Sequence, residues 1–134
     1  MIEGLHHIGI AVERLADAIP RWTEKLGLVL HSIEEVPTEK VKVAVLLAGS
    51  TRIELLEPTS PDSPVAKFLS KRGPGVHHLA FQVADCTKTV RLLTAAGADL
   101  LDQVPRPGAH DTKVVFVHPR WLGGVLAELV EPPS

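Results

Sequence analysis

The feature that most limits what this 134-residue chain can fold into is that it echoes itself. HIGIAV at 7–12 returns as HLAFQV at 78–83, each a histidine followed by alternating small and apolar residues. IELLEP at 53–58 returns as AELVEP at 127–132. Glu54 follows His7 by 47 residues and Glu128 follows His78 by 50, so two unrelated signals recur in the same order at nearly the same spacing. A repeat of this kind implies two copies of one supersecondary unit. The modules are expected at about residues 1–60 and 75–134 of a single domain, joined by a Pro- and Ser-rich connector at about 61–74.

Periodicity supplies the elements. Leu5 to Val12 reads as a strand. Leu15, Ile19, Trp22 and Leu26 fall at i, i+4, i+7 and i+11, one face of a helix. Pro20 lies inside that pattern and predicts a kink or an irregular turn, and Gly27 is a natural helix stop. Strands follow at Leu28–Ile33, Val41–Val45 and Thr51–Glu57, giving β-α-β-β-β. In the connector, Ser63 is positioned to cap a short helix through Lys71. The second module repeats the order: a strand at Val76–Val83, a helix from Asp85 to Ala96, and short strands near Ala98–Leu101, Lys113–Val117 and Val125–Val130. The expected fold class is α+β, two βαβββ modules in tandem.

The doubled residues have a chemistry in common. Imidazole nitrogen and carboxylate oxygen are ligands of first-row divalent cations, and this mixed set suits zinc, cobalt, nickel, manganese or iron. His7, Glu54, His78 and Glu128 supply four positions and leave room for water or substrate. Their two carboxylates neutralise a divalent ion, which lowers the cost of burying it. Each His lies near the start of its module's first strand and each Glu on the last strand. His6 and His77 share the doubling, and adjacent strand residues face opposite sides. Alternation alone does not choose between neighbours; position relative to the following apolar pattern selects His7 and His78.

Other classes are disfavoured. The net charge is −2 with no basic stripe, so no nucleic-acid partner is expected. No apolar run approaches the roughly 20 residues of a membrane span. Cys86 is the only cysteine and the start shows no secretory signal, so a cytoplasmic location is expected.

At these residues the chain resembles the vicinal oxygen chelate (glyoxalase/bleomycin resistance/dioxygenase) superfamily and, within it, the methylmalonyl-CoA epimerases. The segments that carry the likeness are HHIGIAV (6–12), IELLEP (53–58), SPVAKFL (63–69), GVHHLAFQV (75–83), GAH (108–110), VVFVHP (114–119) and GGVLAELVEP (123–132), spread over essentially the whole chain. The resemblance implies paired βαβββ modules forming a curved, cleft-like mixed sheet. It implies a divalent metal, such as cobalt, zinc, manganese or nickel, at His7, Glu54, His78 and Glu128. It further implies an acyl-CoA substrate, interconversion of (R)- and (S)-methylmalonyl-CoA by proton abstraction at C2, and a homodimer.

One segment departs from the family. A catalytic glutamate is usual in a VPEQxV-like stretch, and here VPTEKV (36–41) places Thr38 at that position and Glu39 one residue later. A one-residue offset in a strand reverses the side chain. Either the loop returns Glu39 to the working face, or the base is a metal-bound glutamate, Glu54 or Glu128. Glu34 and Glu35 are weaker candidates. This departure keeps open a glyoxalase-type lyase or isomerase acting on a thiol hemithioacetal; a non-enzymatic small-molecule-binding module of the same fold is a further alternative. His110 is either a substrate contact or a surface loop residue. His118 is expected to end a strand, Cys86 to be inert, and Trp22 and Trp121 to serve in packing or at an interface.

Overall fold

The computed structural model describes residues 1–134, which divide into two compact units: His7–His77, and Met1–His6 with His78–Ser134.

The first unit takes β1 (Ile2–Ala11) from His7 onward, then α1 (Leu15–Pro20), β2 (Val29–Val36), β3 (Val41–Ala48), β4 (Thr51–Pro58) and α2 (Pro64–Arg72). Its strands lie in the order β2-β3-β4-β1, with β1 parallel to β4 and the other pairs antiparallel. Alternation sorts the side chains. Leu46, Leu55 and Ala44 bury one face under Leu15, Ala18 and the half-buried Trp22. The opposite face carries His7, Gly9, Glu54, Leu56, Val43 and Val45, as the pairing register requires.

Pro20 does interrupt the first helix. Its missing N–H and its ring disturb the preceding turn, and the chain continues through a π-helical turn over Arg21–Lys25. The wider turn rotates fewer degrees per residue and so shifts the side-chain phase. Leu26, expected on the inward face, is therefore 68% exposed. Gly27, at φ 81°, ends the segment. Ser63 caps α2 as expected, its Oγ accepting the Val65 amide at 3.2 Å.

The second unit contains β5 (Gly75–Val83) from His78 onward, α3 (Cys86–Ala95), β6 (Arg106–Pro107), β7 (Lys113–Val117) and β8 (Ala127–Glu131), in the sheet order β5-β8-β7-β6. Here β5 and β8 are the parallel pair. Val83, Val115, Val117 and Leu129 form the core against Cys86 and Val90 of α3. Asp85 starts that helix, its Oδ1 accepting the Lys88 amide at 2.9 Å. The strand expected near Ala98–Leu101 is reduced to one bridge, Leu100 to Val117. The short ladder to β7 is made instead by Arg106 and Pro107.

Each unit also ties its helix to its last strand in the same way. The Leu15 amide donates to Glu57 Oε1 at 2.7 Å, and the Cys86 amide donates to Glu131 Oε1 at 2.8 Å. Glu57 and Glu131 are the second glutamates of IELLEP and AELVEP. Each stands three residues after the expected ligand and so faces the helix side.

Candidate functional site

Strand register brings each histidine to its glutamate. In the first unit Gly9 lies opposite Glu54 across the parallel β1–β4 pair. His7, two residues earlier, shares that face and sits diagonally beside the carboxylate. His7 Nδ1 stands 3.2 Å from Glu54 Oε2. In the second unit Ala80 lies opposite Glu128, and His78 Nε2 stands 3.4 Å from Glu128 Oε1. All four residues are 5–7% exposed. The residues paired with the two glutamates across the parallel ladders, Gly9 and Ala80, carry almost no side chain.

These separations suit a cation. Two ligand atoms bound at roughly 2.0–2.2 Å to one ion stand about 3 to 3.5 Å apart. A charge-assisted hydrogen bond would be shorter, about 2.7–2.9 Å. A carboxylate buried beside an imidazole also needs compensating charge. The four residues are candidate metal ligands on both counts.

His77, His118 and His110 have other surroundings. His77 lies edge-on to Phe68 of α2, with ring centroids 5.0 Å apart. His118 ends β7, its Nδ1 accepting the Arg120 amide at 3.0 Å. His110 is exposed in a left-handed backbone conformation at φ 56°. Trp22 packs against the first core, and Trp121 is 43% exposed.

The backbone at Thr38–Glu39 is a turn rather than a strand. Pro37–Glu39 forms a 3₁₀ turn, and Lys40 then adopts a left-handed conformation at φ 54°. Strand alternation does not carry across such a turn, so the one-residue shift need not reverse the side chain. Thr38 is exposed, whereas Glu39 is half-buried with its Oε1 shielded from solvent. The turn is anchored at Lys40, whose carbonyl accepts the Thr59 amide at 2.9 Å and whose ammonium pairs with Asp62. That ammonium and the Ser60 hydroxyl pull the Asp62 carboxyl down to about 2. Glu34 is also half-buried and, by register through Val43 and Leu56, lies on the Glu54 face; Glu35 is exposed.

Around His78 and Glu128 the second unit builds a distinct surface on the side away from α3. Ala80, Val114 and Val130 form its apolar floor. Phe116 lies opposite Glu128 in the β7–β8 register and meets the His78 ring edge-on, centroids 5.8 Å apart. The Arg106 guanidinium carbon stands 5.7 Å over the same Phe116 ring. Gly108 is required at the edge: a Cβ there would meet Thr112 Oγ1 at 2.6 Å and Val114 Cγ1 at 2.7 Å. The periodicity reading singled out none of Arg106, Phe116 or Gly108.

Comparison with known proteins identifies the family. Residues 6–116 match the profile of the glyoxalase/bleomycin resistance protein/dioxygenase superfamily. An ethylmalonyl-CoA/methylmalonyl-CoA epimerase from Cereibacter sphaeroides is 37% identical over 96% of this chain and 98% of its own. The chain belongs to the methylmalonyl-CoA epimerase branch of that superfamily. An uncharacterized Bacillus subtilis protein is 44% identical over 96% of this member and 91% of its own length. A methylmalonyl-CoA epimerase structure containing methylmalonyl-CoA and ammonium superposes with a TM-score of 0.94 at 33% identity, covering 100% of this chain and 97% of that one. The α+β fold with paired βαβββ units is that of the superfamily. No helix is long and apolar enough to cross a membrane.

Proposed function

We propose that this protein is a metal-dependent epimerase interconverting (R)- and (S)-methylmalonyl-CoA, with His7, Glu54, His78 and Glu128 as the ligands of one divalent ion. The observation that carries the reading is the pair of buried His–Glu couples at ligand-like separations, in a chain whose relatives bear that name. The joint site rests on the sequence repeat and on family membership. Cobalt, zinc, manganese and nickel all suit such ligands.

The C2 proton of the substrate lies between a thioester and a carboxylate, so its removal leaves an enolate. A divalent ion bound there supplies Lewis-acid stabilisation of the enolate charge. Glu39 takes the proton from one side of C2. The Glu128 carboxylate carries the proton returned to the other side, and the reverse reaction exchanges the roles. Glu39 is half-buried with its Oε1 shielded, which favours it over Thr38, which has no basic group. A homodimer completes the proposal; the edge strand β2 exposes Val29, Leu30 and Ile33, apolar surface of the kind a second copy covers.

The test is exchange in deuterated water. With metal supplied, (S)-methylmalonyl-CoA should gain deuterium at C2 and become a mixture of epimers. Glu39→Gln should lower kcat by about 10²–10⁴-fold, the usual contribution of a general base, while Thr38→Ala changes it little. No exchange by the wild-type protein would refute the function. Turnover of a glutathione hemithioacetal instead would identify a glyoxalase-type lyase.

A further inference from the structure

We propose that Lys40 is a positioning residue: through Asp62 it ties the turn that carries Glu39 to the capped start of α2. The inference rests on the epimerase reading for the role of Glu39 and on the geometry of the first unit for the tie.

A general base must stay within hydrogen-bond reach of the proton it removes. Glu39 lies on a short turn that joins β2, the edge strand, to β3. The turn closes with a bond from the Lys40 amide to the Pro37 carbonyl at 3.1 Å. Lys40 itself is left-handed, with φ 54° and ψ 47°. A side chain is strained in that conformation, whereas glycine adopts it readily. Such a residue persists where its surroundings over-determine it. Two contacts do so here. The Lys40 carbonyl accepts the Thr59 amide at 2.9 Å, one step beyond the β3–β4 pair of Val41 with Pro58. The Lys40 ammonium pairs with the Asp62 carboxylate. Glycine could supply the first contact but not the second, so the ammonium is what lysine adds.

The far end of the tie is fixed. The Ser60 hydroxyl also donates to Asp62, and the Ser60 carbonyl accepts the Ser63 amide at 3.1 Å. Ser63 is fully buried and caps α2 through its Oγ. The Asp62 carboxyl, drawn down to about 2 by Lys40 and Ser60, stays ionised at neutral pH. The ion pair is exposed, so it contributes little to global stability. Its effect is local: it restricts where the Glu39 turn can sit.

The experiment combines steady-state epimerisation by the metal-loaded protein with urea denaturation. Lys40→Gly relieves the backbone strain and removes the ammonium. Its urea midpoint should stay near the wild-type value while kcat falls and KM changes little. The fall should be about three- to tenfold, short of the roughly 10²-fold cost of a full 1 Å misplacement. Asp62→Ala should reproduce it, and Lys40→Arg, which keeps a cation, should restore most of kcat. Because the tie acts through Glu39, adding Lys40→Gly to Glu39→Gln should lower kcat no further. Unchanged kcat in both Lys40→Gly and Asp62→Ala would overturn the proposal. So would an equal further loss in the Glu39→Gln background. Failure of the epimerase reading shows separately, as no epimerisation by the wild type or wild-type kcat in Glu39→Gln. Either result removes the role that Lys40 supports.

Discussion

Glu131 accepts the backbone amide of Cys86 at 2.8 Å, joining the last strand of the second unit to the first residue of α3 across 45 residues of chain. Glu57 does the same for Leu15 in the first unit. A carboxylate at a helix N-terminus satisfies an orphan amide and faces the positive end of the helix dipole. Glu131→Ala should cost about 1–2 kcal/mol, in the range of a lost N-cap. Glu57→Ala should cost a similar amount, since Arg14 gives α1 no side-chain cap of its own. Urea denaturation checks both, and Glu131→Gln, which keeps the acceptor, should recover part of the loss.

Cys86 gives a pH-dependent signature. Its thiol is fully buried, 3.9 Å from the Leu129 carbonyl, and burial followed by the nearby Glu131 charge pushes its pKa up to about 11 from 9.0. The thiolate is the reactive form, so the folded protein should resist alkylation at neutral pH and react fully once unfolded. The linkage runs against stability at high pH. Between 9.0 and about 11 the unfolded chain has released this proton and the folded chain has kept it. Unfolding free energy should therefore decline as pH rises through that window. In Cys86→Ala this part of the decline should be absent, as pH-dependent denaturation would show.

The sequence made the candidate ligands legible because the repeat doubled them, and strand alternation turned each toward its partner. It also doubled Glu57 and Glu131 in plain view, but spacing alone does not distinguish a ligand from a helix cap. The errors have local causes. Leu26 was placed inward by a 3.6-residue period that the π-turn after Pro20 breaks. The two-residue strand Arg106–Pro107 is too short for alternation to register, and its proline argues against a strand. For Glu39 the two alternatives stayed open, because Pro37–Glu39 is a 3₁₀ turn to which strand alternation does not apply. Arg106 is defined only by what it stacks on and what braces it, contacts between positions 10 residues apart or nearer that no period links.

Gly108 tests how tightly the loop after β6 is fitted. Its φ of −116° is open to any residue, so the constraint is space rather than backbone strain. Gly108→Ala would push Thr112 Oγ1 off the Ala109 carbonyl, to which it now donates at 2.8 Å, and crowd Val114. A cost of about 1–3 kcal/mol is expected for such overpacking. Thermal denaturation would show it, and Gly27→Ala would be a poor control because its φ of 81° adds strain of another kind.

Metal dependence gives the most direct reading of the buried pairs. If all four ligands share one ion, dialysed wild-type protein should retain about one equivalent, and each of His7→Ala, Glu54→Ala, His78→Ala and Glu128→Ala should weaken retention. Added metal at a hundred times its Kd should stabilise the wild type by about 2.7 kcal/mol. The single-ligand variants should gain less. Glu54→Gln keeps an oxygen donor and should retain metal better than Glu54→Ala. Independent behaviour would look different. Two equivalents in the wild type, with His7→Ala losing one and His78→Ala the other, would mean that each His–Glu pair binds its own ion and would refute the shared site.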